Sequence, residues 1–288
     1  MAEITLDKAI DKQLQPKRLP VDFLARSWKL LTLPLLVFIA LPVLALFLRL
    51  APGSLFALQE RQVVQAVHLS ITTSLATVFI TLLFGTPVAY LLYRRRSTLT
   101  RLVDTLIDLP TILPPAVAGV ALLMAFGRQG LAGSVFSAFG FSIPFTTAAV
   151  IIAQTFIAAP LYVKSAALGF ASVDCELKKA AALDGANKWQ VFYYIMLPIS
   201  WTSIVTGCML TWARALGEFG ATIIFAGNFA GRTQTMPLAI YIGFEIDLNI
   251  ALALSAVLIL VSFLVLAVVK WVFHDRIRPG SAEDTGWQ

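Results

Sequence analysis

Two ionisable residues, Arg214 and Glu218, interrupt the apolar stretch 199–226 near its middle. On a continuous helix their spacing of four places both side chains on one face, where they can partly neutralise each other. An ionised side chain at the centre of a membrane helix costs roughly 2.5–3.5 kcal/mol, and such residues commonly mark the pathway of a charged substrate. The sequence therefore predicts either a pathway residue pair or a buried structural ion pair.

The other reactive residue types are too few and too dispersed for a catalytic or metal centre. His68 and His274 lie far apart, and Cys175 and Cys208 lack the spacing of a metal site or a disulfide. The chain contains no Gly-x-x-x-x-Gly-Lys-[Ser/Thr] sequence that could cradle phosphates. We therefore expect no catalytic residue, no metal and no cofactor, and any ATP hydrolysis that drives this protein would occur on another chain.

A second candidate feature is the proline-rich segment DLPTILPPAVAG, residues 108–119. The adjacent Pro114 and Pro115 cannot lie in an undistorted helix interior, because proline lacks the N–H donor and clashes with the preceding turn. A helix broken at membrane depth is tolerated only where protein or water covers the exposed backbone. Residues 110–119, including Gly119, are therefore either part of a pathway wall or a structural kink.

The third feature is a polar interruption, ELKKAAALDGANKWQVFYYIMLP, at 176–198. Good helix formers precede Asp184 and Gly185, which stop the first helix, and Asn187 can cap a second helix that Leu197 and Pro198 end. The predicted helix–turn–helix has a small-residue face formed by Ala180, Ala181, Asp184 and Gly185. Helical spacing predicts an aromatic face formed by Trp189, Phe192, Tyr193 and Met196. This helix–turn–helix either docks into a groove on a partner protein or covers the ends of neighbouring helices.

Composition identifies the elements that must position these residues. The chain is 58% hydrophobic and 13% charged, with a mean hydropathy of +0.82, whereas soluble domains carry about 25% charged residues. This predicts an all-α integral membrane protein. The net charge of +6 is better explained by orientation in lipid than by binding to nucleic acid.

A helix needs about 20 apolar residues to cross a bilayer. Six stretches qualify: 30–50, 66–92, 105–126, 146–169, 199–226 and 248–272. The predicted organisation is a cytoplasmic segment at 1–29, a six-span domain at 30–272 and a cytoplasmic tail at 273–288, with 227–248 as an outer loop. With the N-terminus inside, the inner segments hold 17 Lys and Arg residues and the outer segments hold four. Both termini and the loop 171–198 should therefore be cytoplasmic.

Three segments, taken in order, resemble binding-protein-dependent ABC importer permeases. The spacing of Gly185, Ile195, Leu197 and Pro198 resembles their EAA loop, although Lys179 stands where that family usually has Glu. The segments 108–119 and LGEFGA, 216–221, resemble the sulfate, molybdate and tungstate branch, and FGRQG with GRTQTMPLAIY resembles molybdate or tungstate permeases more than sulfate ones.

The resemblance implies a transport subunit for a tetrahedral oxyanion, best matched by molybdate, with tungstate or sulfate/thiosulfate as alternatives. It implies a homodimer, a separate cytoplasmic ATPase dimer and an extracytoplasmic binding protein. ATPase coupling is expected at Ala180, Ala181, Asp184, Gly185, Trp189, Leu197 and Pro198. The pathway is expected at Pro114, Pro115, Gly119, Arg214, Gly217, Glu218 and Gly220.

Two functions of other classes compete with this interpretation. A proton-coupled secondary transporter could use Arg214 and Glu218 as its relay, and a membrane scaffold or receptor would need no pathway. Six spans without an obvious inverted repeat weigh against the carrier, and the docking loop weighs against both.

Overall fold

The computed structural model describes residues 21–50, 58–94 and 97–272, and within these ranges the regular structure is helical, with no strand. The predicted all-α fold is therefore confirmed. The chain divides into two units, Met1–Arg49 and Leu50–Gln288. The first contains helix α1, Val21–Leu48, which continues through Pro34 and Pro42.

The second unit contains eleven helices among the described residues. They are α2 (Arg61–Tyr93), α3 (Thr98–Ile112), α4 (Pro115–Phe126), α5 (Gly133–Ala138), α6 (Thr147–Ser172), α7 (Cys175–Leu183), α8 (Lys188–Ile199), α9 (Trp201–Leu216), α10 (Gly220–Phe225), α11 (Met236–Ile246) and α12 (Leu248–Val272).

Four helical stretches among the described residues are long and apolar enough to cross a membrane: Leu31–Leu48, Arg61–Tyr93, Thr147–Ser172 and Leu248–Ala267. Two bent pairs bring the number to six if each pair is one span. The axes of α3 and α4 differ by 118°, and those of α8 and α9 by 70°. The described residues thus contain four to six candidate membrane spans.

The stretches 105–126 and 199–226 differ most from the simple spans that hydropathy suggests. Leu113 is extended and Pro114 precedes the first turn of α4, so the first stretch is broken where the two prolines predict a break. The second contains α9 and the separate short helix α10, with a non-helical step at Glu218 and Phe219. Placement of the six ranges and of the two termini in a bilayer stays a prediction, and the termini 1–20 and 273–288 lie outside the described residues.

The expected outer loop 227–248 contains the helix α11, which sequence analysis missed. Thr235 precedes it, and proline occupies its first turn, where a missing N–H costs nothing. The N–H of Met236 donates to Ser70 Oγ of α2 at 2.7 Å. A partner 166 residues away in sequence therefore stabilises the beginning of this helix.

Three clusters of buried side chains hold the second unit together. The first joins α2, α6 and α8 around Leu92, Tyr162, Phe170 and Met196. The second joins α4, α6 and α10, and the third joins α2, α9, α11 and α12. Helix α6 contributes to the first two clusters, and it leads through Val173 and Asp174 into α7. Helix α7 is therefore joined by a two-residue connection to a helix at the centre of the packing.

Candidate functional site

The helices α7 and α8 are joined by a tight turn at Gly185. Gly185 has φ +88°, a conformation that side chains with a Cβ rarely adopt. The N–H groups of Gly185 and Ala186 donate to the carbonyls of Ala182 and Ala181 at 3.2 and 2.9 Å. This paired bonding is a frequent way to close a helix C-terminus, and it confirms the predicted turn.

Both short helices are capped by their own side chains. Asn187 Oδ1 accepts from the N–H groups of Trp189 and Gln190 at 3.0 and 2.9 Å, and Gln190 Oε1 accepts from the N–H of Asn187 at 2.7 Å. Asp174 Oδ1 accepts from the N–H of Glu176 at 2.9 Å. These caps satisfy N–H groups at the helix starts without burial, so the pair can be ordered while its surface stays available.

The second half of α8 differs from the prediction because its backbone widens into a π turn at Phe192–Met196. The N–H of Leu197 donates to the carbonyl of Phe192, five residues back. The π turn rotates the following side chains relative to a regular helix. Met196 is buried and Phe192 packs against the first cluster, whereas Trp189 and Tyr193 are exposed, so the predicted single aromatic face is wrong.

The second helix ends at Ile199, one residue after the Leu197 and Pro198 end that the sequence predicts. The chain then bends by 70° into α9. Proline cannot donate to a helical carbonyl, and here it falls in the turn that follows the widened segment. Leu197 is partly buried against the first cluster, and Pro198 is exposed.

Most of the residues expected to couple to an ATPase lie at the surface. Ala180, Asp184, Gly185 and Trp189 are exposed, and Ala181 is partly buried. Trp189 is 77% exposed, although burying a large aromatic side chain is strongly favourable. The turn also borders a cavity of about 300 Å³ lined by Asp184, Gly185, Ala186, Gln190, Tyr194 and Ile195. The pair therefore offers both projecting apolar groups and a concavity.

Three of the expected pathway residues, Pro115, Gly119 and Gly220, lie where α4 contacts α10. A Cβ added at Gly220 would lie 2.6 Å from Pro115 Cβ, and one added at Gly119 would lie 2.9 Å from Ile224 Cβ. Both distances are too short for real contacts, so glycine at these two positions allows the helices to approach closely. Pro114 and Pro115 are exposed at the beginning of α4, whereas Gly119 is buried.

Glu218 lies between α9 and α10, so the predicted continuous helix through Arg214 and Glu218 is wrong. One carboxylate oxygen, Oε1, accepts from the N–H of Ala221 in the first turn of α10 at 2.9 Å. The other, Oε2, lies 3.7 Å from Arg214 Nη2. The predicted ion pair is present, but its two side chains differ in exposure. That of Glu218 is 1% exposed and that of Arg214 is 42% exposed.

Gly217 ends α9 with φ −89°. A Cβ at this position would meet only Ala213 O, at 3.6 Å, which is an ordinary contact. Pro115 thus packs against Gly220, and the neighbouring Ala221 is bonded to Glu218, which pairs with Arg214. Gly217 has no packing requirement for glycine.

The capping role of Glu218 was not predicted from the sequence. The signal available was an acidic residue followed by a short Gly-Ala-Thr sequence, since carboxylates are favoured at helix N-termini. Within the described ranges, His, Cys, Asp and Glu side chains form no group of three that could hold a metal ion.

Comparison with known proteins agrees with this architecture. Residues 81–278 match the family described as binding-protein-dependent transport system inner membrane component. The chain is 42% identical over 231 residues to the molybdenum transport system permease protein ModB of Mycobacterium tuberculosis, covering 80% of this chain and 88% of that protein. It is 38% identical over 255 residues to the probable transport system permease protein NifC of Clostridium pasteurianum, covering 88% and 89% respectively.

The fold is similar to a crystal structure of a bacterial ABC transporter involved in the import of the acidic polysaccharide alginate. The TM-score is 0.65 at 19% identity, and the match covers 95% of this chain and 99% of that one. The family match covers more than half of the sequence, and the resemblance noted from its motifs is confirmed. The chain belongs to the binding-protein-dependent transport system inner membrane components.

Proposed function

We propose that this protein is the permease subunit of an ATP-driven importer that moves molybdate into the cytoplasm. The family consists of membrane components of transport systems, so the chain is a transport subunit rather than an enzyme. The 42% identity to a molybdenum permease over most of both chains favours molybdate as the substrate. Tungstate and sulfate are the alternatives with the same tetrahedral geometry.

The exposed surface of α7 and α8 is the observation that carries the proposed coupling to an ATPase. Leu183, Trp189, Tyr193 and Tyr194 are all exposed there, on a pair of helices stabilised by their own caps. A short ordered helix with projecting aromatic side chains suits a groove on a partner protein, because a segment that is already ordered loses little conformational entropy on binding. We infer that an ATPase subunit covers this surface, and that each copy of a permease homodimer binds one such subunit.

The proposed mechanism follows from the connection of α7 and α8 to the membrane helices. Closure of the ATPase dimer moves the docked pair as a rigid body, and α6 and α9 move with it. The substrate dianion needs water, backbone dipoles and a few polar groups along its path, since complete desolvation would be costly. The partly exposed guanidinium of Arg214 offsets part of its charge, and selectivity resides mainly in an extracytoplasmic binding protein.

Orientation in the membrane is part of the proposal. The bias of 17 inner against four outer Lys and Arg residues supports cytoplasmic termini and a cytoplasmic α7–α8 pair. In this orientation a cytoplasmic ATPase can reach the exposed surface of α7 and α8, and the substrate is released into the cytoplasm.

Reconstitution tests the proposed function directly. The permease, its ATPase and its binding protein are placed in lipid vesicles, and uptake of molybdate, tungstate and sulfate is measured with ATP or a non-hydrolysable analogue. We expect molybdate uptake that needs hydrolysable ATP, the ATPase and the binding protein. ATP-independent uptake driven by a proton gradient would contradict the proposal and support the carrier, and preference for sulfate would overturn the substrate assignment.

A further inference from the structure

A three-residue ion cluster joins α3 to α6. Lys164 Nζ of α6 lies 2.5 Å from Asp104 Oδ1 and 2.9 Å from Asp108 Oδ2 of α3. The two aspartates are one helical turn apart, so both face the same lysine. All three side chains are partly buried or half-exposed, where charges interact more strongly than in water.

Apolar packing between α3 and the rest of the unit is limited to one side. Val103 and Ile107 pack against the first cluster, whereas Leu99, Leu102, Leu106 and Leu109 are exposed. Apolar contacts are non-directional, whereas a lysine held between two carboxylates favours one relative position of α3 and α6. The ion cluster is therefore a directional contact of this helix pair.

The two helices lead to the two candidate sites already described. Helix α6 continues from Lys164 to its end at Ser172, and α7 begins at Cys175. Helix α3 continues from Asp108 to Ile112, and Pro114 follows at the 118° bend. Beyond the bend, Pro115 contacts Gly220 next to the cap formed by Glu218. Short chain connections, the Lys164 cluster, the Pro115–Gly220 contact and the Glu218 bonds thus link the α7–α8 pair with Arg214.

We propose that Lys164, held by Asp104 and Asp108, is a positioning residue that transmits movement of the α7–α8 pair to the Pro114–Pro115 bend. The inference rests on the proposed function, because it assigns the ion cluster a role in ATP-driven transport. Energetic coupling between distant sites requires elements that move together, and the cluster makes α3 follow α6. Without the ion cluster, the ATPase would still hydrolyse ATP, but the Pro114–Pro115 bend would follow the movement of the α7–α8 pair only in part.

The test compares transport with hydrolysis in the reconstituted complex. Lys164→Met keeps an unbranched side chain and removes the ammonium, and Arg101→Met, at an exposed cation on α3, is the matched control. We expect Lys164→Met to assemble with the ATPase and to hydrolyse ATP at nearly the wild-type rate. Its uptake per ATP hydrolysed should fall on the order of tenfold, whereas the control should transport normally.

A charge reversal keeps the test decisive if Lys164→Met is unstable. Lys164→Asp alone places three carboxylates together and should abolish coupled uptake. Adding Asp104→Lys returns a lysine between Asp108 and the new aspartate, and it should restore at least half of the uptake per ATP. Failure of this rescue in a complex that assembles and hydrolyses ATP would overturn the positioning role.

Two further results separate this inference from the proposed function. If Lys164→Met takes up as much oxyanion per ATP hydrolysed as the wild type, the cluster has no role in coupling. If uptake, ATP hydrolysis and the unfolding temperature all fall together, the cluster only stabilises the fold. Either result would overturn the inference. Absence of ATP-driven uptake in the wild-type complex would instead refute the proposed function, and the inference with it.

Discussion

Glu218 binds two partners through its two carboxylate oxygens, the N–H of Ala221 and the guanidinium of Arg214. The first contact stabilises the beginning of α10, and loss of such a cap typically costs about 1 kcal/mol. The second keeps a buried charge from being isolated. Glu218 is therefore a structural anchor, whereas the side chain of Arg214 is 42% exposed.

A double-mutant cycle separates this structural role from a pathway role for Arg214. Arg214→Met should lower the unfolding temperature in detergent, because the Glu218 carboxylate then lacks its cation, at a cost of about 1–3 kcal/mol. Glu218→Gln can keep the bond to Ala221 through its amide oxygen. The double variant should regain most of the stability, yet take up oxyanion slowly, since the positive charge is missing. Arg232→Met, at an exposed arginine outside this cluster, is the control, and wild-type uptake by the double variant would contradict a pathway role for Arg214.

At the scale of the elements, the α7–α8 pair combines order with exposure. Its caps and its turn at Gly185 use bonds within the segment itself, whereas Met196 and Phe192 fasten its C-terminal part to α2 and α6. The bent connection at Ser200 then passes into α9. The α7–α8 pair is therefore attached to α2 and α6 by packing and to α9 by the chain itself.

Gly185→Val tests the docking role of this element. Valine strongly disfavours the left-handed conformation that Gly185 adopts, so the turn should open and the relative direction of α7 and α8 should change. The variant should still insert in the membrane, but co-purification with the ATPase and ATP-driven uptake should both fall at least several-fold. Gly185→Asn should be tolerated, because asparagine adopts this conformation more readily.

Gly140→Val is the matched control for backbone strain. Gly140 has φ +76° and, like Gly185, has no neighbouring atom within 4 Å of an added Cβ. It lies in the turn after α5, outside the docking pair. A comparable loss of ATPase association in this variant would mean that strain alone, rather than the docking surface, explains the effect.

At the scale of the whole molecule, function depends on which side of the membrane each surface faces. The long helices α2, α6 and α12 are long and apolar enough to cross a bilayer. Length and hydropathy do not determine which end of a helix is cytoplasmic. The charge bias predicts one orientation, because Lys and Arg are retained on the cytoplasmic side. In that predicted orientation the α7–α8 pair is cytoplasmic and the α5 region lies on the opposite side of the membrane.

Cysteine labelling checks this orientation. In a Cys208→Ala background, the exposed Cys175 of α7 should resist a membrane-impermeant maleimide added to sealed cells and react after the membrane is opened. Leu131→Cys, made in a background that lacks both native cysteines, provides the outer control, because Leu131 is 92% exposed in the segment predicted to lie outside. Rapid labelling of Cys175 in sealed cells would reverse the topology and remove the docking surface from the ATPase.

Features that depend on neighbouring residues could be predicted from the sequence. Hydropathy predicts the long helices, because apolar side chains transfer favourably from water to lipid. Gly185 predicts the turn and Asn187 predicts the start of α8, because both depend on local backbone geometry. Pro114 and Pro115 likewise predict a break. The order of the motifs also indicates the family, because the spacing between them is a property of the chain alone.

Only the tertiary structure decides where the broken elements point and what they contact. Two prolines exclude a regular helix but do not specify a bend of 118°. The cap on α11 comes from Ser70, and the partners of Lys164 lie 56 and 60 residues away. The buried state of Glu218 depends on α10 forming a separate helix. These features arise from packing between distant segments, which local propensity does not encode, and so the sequence indicates the functional residues while the fold determines which of them act together.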